Sequence, residues 1–308
     1  MELYQLRHFL AVADAGNFTR AAERANISQP SLSQQIINLE RELGHKLFHR
    51  LGRKAALTEA GKVFLDRART IVLEVEDATK ALKDSPTLER RIKVGTVQTL
   101  APYLLPPLLE RCREAHPNLL VHSHEDFRAD LMRGVLDGDL DLAIVPQPVK
   151  DPRISVESLF IEPLLLVVGR NHPLAIKPAI TAPDIANESF VLLGHSSSLA
   201  MEIERFCGDN NFVPRLAHRC SQAVTLKSLV ALGSGISILP RIAFQPEDKR
   251  TLVYRELSGG APTREVVVIR HLQRYQTMGA EQFLKVLRTM VAELVAAGEL
   301  KGAPAMEV

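Results

Sequence analysis

The chain has 308 residues, of which 46% are hydrophobic and 24% charged, with a formal net charge of +2 at pH 7. That length exceeds one average domain and the apolar content supports substantial cores, which excludes a disordered chain and a single small module. So small a net charge exerts no global pull on nucleic acid, and such a partner has to be argued from where the basic residues lie.

Cys112, Cys207 and Cys220 are odd in number and widely spaced. They suit buried thiols in a reducing cytoplasm and offer neither a disulfide framework nor a metal knuckle. Residues 1–8 carry no apolar core beside a cleavage site, and no run of about 18 apolar residues occurs, so neither an export signal nor a membrane partner is expected. The expected location is the cytoplasm.

Leu3, Leu6, Phe9, Leu10 and Ala13 recur at helical spacing, and Gly16-Asn17 ends that helix. Phe18, Ala21, Ala22 and Ala25 mark a second short helix closed by a turn at Asn26-Ile27. Ser28 then reads as an N-cap with Pro30 near the first helical position, opening a third helix over about 29–43. Its inner stripe is Leu32, Ile36, Leu39 and Leu43; its outer stripe is Ser31, Gln34, Gln35 and Asn38, with no carboxylate before Glu40. An ordinary solvated face mixes Glu and Lys. A neutral, amide-rich face suits the major groove, where amides read adenine edges and hydroxyls reach phosphates. Lys46, His49, Arg50, Arg53 and Lys54 follow with no acid between them. Two short strands around a Gly-containing turn would make a wing whose cations meet phosphates or a minor groove.

From Thr58 a helix is expected to run to about Asp84. Phe64, Ala68, Ile71, Val75, Ala78 and Leu82 form a heptad seam along it, and Ser85-Pro86 stops it. One narrow apolar stripe on so long a helix needs a partner, either a second copy of the chain or its own C-terminal region. From Arg91 apolar strands alternate with helices: strands at 92–97, 119–123 and 140–145, then 164–168, 190–193, 216–219 and 236–240. The intervening helices lie near 103–112, 131–136, 201–206 and 224–232. This βαβ rhythm predicts an α/β fold with a mostly parallel sheet, and two such units in series leave a cleft between them.

The run Phe18-Thr19-Arg20-Ala21-Ala22, Ile27-Ser28-Gln29-Pro30-Ser31-Leu32-Ser33, Leu47-Phe48-His49-Arg50 and Leu57-Thr58-Glu59-Ala60-Gly61 resembles the winged helix-turn-helix of LysR-type transcriptional regulators. Further landmarks are Tyr103-Leu104-Leu105-Pro106, Gly138-Asp139-Leu140-Asp141-Leu142-Ala143, His172-Pro173-Leu174-Ala175 and Leu229-Val230-Ala231-Leu232-Gly233-Ser234-Gly235-Ile236. They resemble that family's effector domain, which is similar to periplasmic binding proteins with two subdomains and two crossing strands. The implied organisation is a DNA-binding domain at 1–58, a linker and dimerisation helix at 59–88 and an effector domain at 91–308. Within the last, subdomain I would take about 91–161 and 269–303, and subdomain II about 162–268. By the same resemblance Gln29, Pro30, Ser31, Ser33 and Gln34 approach double-stranded DNA at an interrupted palindrome, and Arg50 and Arg53 serve the wing. Homodimers or homotetramers, and contact with RNA polymerase, are implied as well.

In that fold a ligand sits where strands end and helices begin, among free backbone N–H groups. Gln98, Thr99, Arg128, His195, Ser196, Ser197 and Ser198 are the candidate effector residues. Hydroxyls at helix N-termini with one guanidinium suit a small anion such as a carboxylate; a solvated arginine beside an N-cap cluster is the plainer alternative. Gly194-His195 and the helix ending at Phe206-Cys207 resemble the redox segment of the family's peroxide-sensing, OxyR-like branch. In that branch a peroxide-reactive cysteine follows Gly-His and a second cysteine lies near the helix end. Here Ser196 stands at the first place and Cys207 near the second. A serine hydroxyl neither ionises near neutral pH nor forms a sulfenic acid. Either the chain senses another ligand, or a serine has replaced a cysteine at 196. No cofactor is expected. No Gly-x-Ser-x-Gly elbow, phosphate loop or His-Glu-x-x-His occurs, so an enzyme is not expected. A stand-alone binding protein would have no use for the reading helix.

Overall fold

The computed structural model describes residues 1–51, 54–83, 90–298 and 300–302, without the side chains of Arg50, Leu51, Lys80 and Lys83. The chain divides into two compact units, residues 1–85 and 86–308.

In the first unit α1 (Leu3–Ala15), α2 (Phe18–Arg24) and α3 (Gln29–Leu43) precede a hairpin of β1 (Phe48–Leu51) and β2 (Lys54–Leu57), followed by α4 (Glu59–Lys83). Gly16 and Gly44 end α1 and α3 in the left-handed conformation. Asn17 caps α2 through its side chain, accepting from the Thr19 and Arg20 N–H groups. Ser28 caps α3 by accepting from the Ser31 N–H. Leu6, Phe9, Val12, Leu32, Ile36 and Leu39 fill the core, where the Phe9 ring lies 5.3 Å from Phe48 and 5.1 Å from Phe64. Gly61 lets α4 approach the wing: a Cβ there would lie 2.1 Å from the Leu47 carbonyl oxygen.

The seam on α4 corrects the sequence expectation. Phe64 and Ala68 pack into the core of their own unit, because α1 lies against α4. Ile71, Val75, Ala78 and Leu82 remain exposed, Leu82 at 90%. A single heptad stripe thus serves two surfaces, one after the other. Asp84, Ser85 and Pro86, expected to end the helix, lie outside the described residues.

The second unit contains β3 (Arg90–Val97), α5 (Ala101–Ala115), β4 (Leu119–Asp126), α6 (Arg128–Asp137), β5 (Leu142–Pro146) and a long β6 (Ile154–Gly169). There follow α7 (Ala182–Ile185), β7 (Ser189–Leu193), α8 (Ser198–Asp209), β8 (Arg215–Cys220), α9 (Ala223–Ala231), β9 (Ser237–Pro240) and β10 (Leu252–Arg255). The unit closes with β11 (Thr263–His271), α10 (Met278–Ala296) and the short β12 (Lys301–Gly302).

Parallel pairing holds where the βαβ rhythm predicted it, between β3 and its neighbours β4 and β5 and between β7 and β8. The sheet as a whole is mixed, not mostly parallel. β11 runs antiparallel to both β5 and β6, and β6 pairs antiparallel with β9 and β10. The reason lies in β6. Its first half pairs with β11 beside one core and its second half with β9 and β10 beside the other, so one strand crosses between two sheets.

One core gathers Ile92, Val94, Leu104, Leu108, Ile144, Phe160 and Phe283; the other gathers Leu166, Val168, Phe190, Leu192, Ile203 and Ile238. Val266, Val267 and Val268, placed in the second half by sequence, pack in the first core. β11 lies beside the first core, paired with β5 and with the first part of β6, so a boundary after residue 268 cuts through a strand.

Candidate nucleic-acid interface and ligand cleft

On α3 the polar stripe is set by periodicity: with Leu32, Ile36 and Leu39 fully buried, Gln29, Pro30, Ser31 and Gln34 are exposed and Ser33 is half-buried. The amides order one another. Gln29 Nε2 donates to Ser33 Oγ (2.9 Å) and Gln34 Nε2 donates to Asn38 Oδ1 (3.0 Å). Such i,i+4 bonds hold side chains extended without using all their donors and acceptors. Glu40, the first carboxylate on the helix, is buried away from that stripe. It accepts from the Leu47 and Phe48 N–H groups (2.8 and 3.3 Å) and from Lys46 Nζ (2.9 Å). The acid that would repel phosphates is therefore spent on anchoring the wing, and one wing cation is partly neutralised with it.

β1 and β2 pair in register from Phe48↔Leu57 to Leu51↔Lys54, with His49 and Lys54 exposed. Arg53 and the side chain of Arg50, the expected wing contacts, lie outside the described residues. Thr58 ties the wing to α4: its hydroxyl donates to the Lys46 carbonyl (2.6 Å) and accepts from the Gly61 N–H (2.9 Å).

In the second unit Val97, Gln98, Thr99, Asp126, Phe127, Arg128, Ser197 and Ser198 line a narrow cleft of about 10 Å³. Five of the seven candidate effector residues are among them. His195 and Ser196 are not; both are exposed on the turn before α8. The N-termini of α5, α6 and α8 begin within two residues of Thr99, at Arg128 and at Ser198, so three positive dipole ends meet at the cleft. Ser197 occupies the N-cap position of α8 without making a side-chain cap bond. Its buried hydroxyl is not consumed by capping. Arg128 Nη1 donates to the Gln147 and Pro146 carbonyls (2.9 and 3.3 Å), which fixes the guanidinium at the cleft wall. Burial lowers its affinity for its proton, and Glu202 opposes that shift.

Behind the cleft lies a group that the sequence did not reveal. Arg264 on β11 stands directly across the ladder from Glu162 on β6, and both are buried. Arg264 Nε donates to Glu162 Oε1 (2.8 Å), and Nη1 donates to Thr99 Oγ1 (2.8 Å); the Ile242 N–H donates to Glu162 Oε2 (2.9 Å). Because the Thr99 oxygen accepts from Arg264, its own O–H proton is left to donate elsewhere. Glu162 sits on β6, which crosses between the two cores, and Arg264 on β11, its neighbour in the ladder. Their signal in sequence was a charge inside an apolar strand, Arg264 ahead of Val266–Ile269 and Glu162 ahead of Leu164–Val168.

A broader groove of about 1100 Å³ adjoins through Gln98 and is lined by Tyr103, Glu125, Gln222, Lys227 and Asp248, among others. There Lys227 Nζ donates to Asp248 Oδ2 and the Ala243 carbonyl (both 2.6 Å), and Tyr254 donates to the same Asp248 oxygen (2.7 Å). Two of that ammonium's three donors are thus in use. Cys112, Cys207 and Cys220 are all buried free thiols. Burial pushes the Cys207 thiol up to about 12.

Comparison with known proteins agrees with this layout. Residues 3–62 match the model of the bacterial regulatory helix-turn-helix protein, lysR family, and residues 86–292 match the LysR substrate binding domain. The DNA-binding transcriptional dual regulator OxyR of Escherichia coli K12 is 33% identical over 272 residues, covering 87% of this chain and 89% of its own. The Hca operon transcriptional activator HcaR of the same organism is 34% identical over 265 residues, covering 85% and 89%. A full-length OxyR variant from Pseudomonas aeruginosa superposes with a TM-score of 0.73 at 26% identity over 99% of both chains. Full-length BenM gives 0.61 at 27% identity over 99% of this chain and 100% of its own.

Proposed function

The chain belongs to the LysR family of bacterial DNA-binding transcriptional regulators, and from that premise we propose that its cleft senses a small anionic metabolite. One observation carries this: three helix N-termini, the Arg128 guanidinium and the Thr99, Ser197 and Ser198 hydroxyls converge on one cleft. The anion would shift the two halves about the crossing strand β6 and thereby re-space paired reading heads. Ile71, Val75, Ala78 and Leu82 supply the apolar stripe for a second copy, with tetramers and contact to RNA polymerase beyond that. Paired heads suit an interrupted palindrome ending in T and A. Gln29, Pro30, Ser31, Ser33 and Gln34 would face its grooves, with Arg50 and Arg53 on its backbone.

Binding to such a palindrome should exceed binding to random DNA and weaken as salt rises, because phosphate contacts release counterions. Equal affinity for both at every salt concentration would reject the palindrome. For the cleft, a panel of small carboxylates should raise the Tm of the protein but not of Arg128→Ala, with DNA affinity as the folding control. An equal rise in both removes Arg128 from the site.

Peroxide is a second reading, favoured by the likeness to the OxyR-like branch. Oxidation needs a thiolate; Ser196 has none, and Cys207 keeps its proton. Ser196→Cys tests whether the scaffold retains the chemistry. Peroxide should then join position 196 to Cys207, and a chain that stays unlinked by mass rules the switch out.

A further inference from the structure

On α8 a carboxyl occupies a place where helical spacing calls for an apolar side chain. Leu199, Ile203 and Phe206 form the buried stripe, and Glu202 sits inside it, 8% exposed. Four residues on from Ser198, Glu202 shares its face, and helical side chains lean toward the N-terminus, so the carboxyl leans back toward the turn that opens onto the cleft. Its Oε2 is buried and has no hydrogen-bond partner. A buried acceptor left open beside arginines is rare in folded proteins and points to a missing donor.

The charges around Glu202 come from four elements. Arg264 of β11, Arg128 of α6 and Arg205 of α8 itself favour its ionised form, in that order, and Glu162 of β6 opposes it. Of the other groups nearby, Asp126 of β4 lines the cleft and accepts from the Phe127 N–H (2.8 Å), and Glu204 of α8 pairs with Arg219 of β8 (2.7 Å). Burial outweighs the arginines and raises the Glu202 carboxyl to about 7. Arg264 is already bonded to Glu162 and Thr99. Arg128, Arg264 and Arg205 set against Glu162, Asp126 and an ionised Glu202 leave no surplus cation, and an entering anion meets repulsion from Glu202. With Glu202 neutral, one positive charge is unbalanced, and the carboxyl gains an O–H that can donate to the ligand.

We propose that Glu202 makes anion binding proton-linked: a small carboxylate is held at Arg128, Thr99, Ser197 and Ser198 while Glu202 is neutral, so occupancy takes up a proton. The linkage rests on the cleft being the effector site. A regulator built this way reports the acid form of its environment together with the metabolite, responding more strongly as the cytoplasm acidifies.

Acetate is the probe, titrated calorimetrically into the full-length protein at pH 6 and pH 8 in carboxylate-free buffers of different ionisation heat. Apparent affinity scales with the competent fraction, so a midpoint near 7 gives about a tenfold loss from pH 6 to pH 8. The buffer series should show net proton uptake between those limits. Glu202→Gln, permanently neutral, should bind acetate with an affinity that no longer varies with pH. Should that variant fail to fold, the proton count of the unmodified protein decides alone. Acetate binding that is independent of pH, with no proton uptake, overturns the linkage and leaves the anion site standing. No acetate binding at either pH overturns the anion site and the linkage with it.

Discussion

The outer face of α3 and the ligand cleft are both collections of short polar side chains, and they are built in opposite ways. Gln29, Ser31, Ser33, Gln34 and Asn38 come from one helix and are exposed or half-buried; their hydrogen bonds run one turn along the same segment. The cleft and the groups behind it take Thr99, Arg128, Glu162, Ser197, Glu202 and Arg264 from five separate stretches of chain, and most of them are buried. A surface built on one helix keeps its geometry as long as that helix folds, so its residues are free to serve a partner. The cleft depends on every strand and helix around it, so each of its charges bears on stability as well as on ligand.

The largest effect should come from breaking the buried pair. Arg264→Met leaves the Glu162 carboxylate buried without its cation and should cost about 3–5 kcal/mol in urea unfolding of the effector domain. Replacing Glu162 and Arg264 together by Met should recover most of it, and a double variant as unstable as the single one would show that the hydrogen bonds to Thr99 and Ile242 dominate.

Next in size is Glu202. Its raised carboxyl means that the unfolded chain gives up this proton at lower pH than the native one, so the native state binds more protons between the usual Glu range and about 7. The sign follows: this group's contribution to stability is fully present below the usual Glu range and declines as pH rises toward 7. Glu202→Gln should therefore be more stable than the parent at pH 8, by up to about 3 kcal/mol, with the gap closing toward pH 5. A gap that does not change with pH would mean that Glu202 titrates normally.

Gly61→Ala falls between the two regions in kind. It pushes a Cβ toward the Leu47 carbonyl and should cost about 1–3 kcal/mol while displacing the wing. DNA affinity falling further than stability would assign Gly61 to wing placement. Gln34→Ala should have the smallest effect on folding, within about 0.5 kcal/mol. Its loss in DNA affinity, about 1–3 kcal/mol if the amide reads a base, should depend on sequence. A uniform loss across sequences would move Gln34 from base reading to phosphate contact.

Much of this was legible in the sequence, and the reasons are local. The helix bounds at Gly16, Ser28 and Gly44, the split of α3 into two faces and the wing hairpin all follow from residues close together in the chain. In the C-terminal unit the positions of β3, α5, β7 and α8 follow from the same kind of pattern, as do Thr99, Arg128 and Ser197 once strand ends are known. Glu202 had a readable signal, a carboxylate inside the apolar stripe of Leu199, Ile203 and Phe206. Reading it as a cleft group required knowing that Arg128 and Arg264 lie beside it. His195 and Ser196 show the converse: adjacency to Ser197 suggested a shared site, and the turn before α8 exposes them instead.

The sequence by itself determined most elements up to residue 240, the polar face of α3 and the family, because period, capping and turn chemistry act over a few residues. Only the tertiary structure decided that β6 crosses between two cores, that Glu162 meets Arg264, and that the linker seam is spent on its own unit at Phe64 and Ala68. Those outcomes depend on pairings across some 100 residues of chain and on which of two apolar surfaces a stripe meets first. No local propensity encodes either.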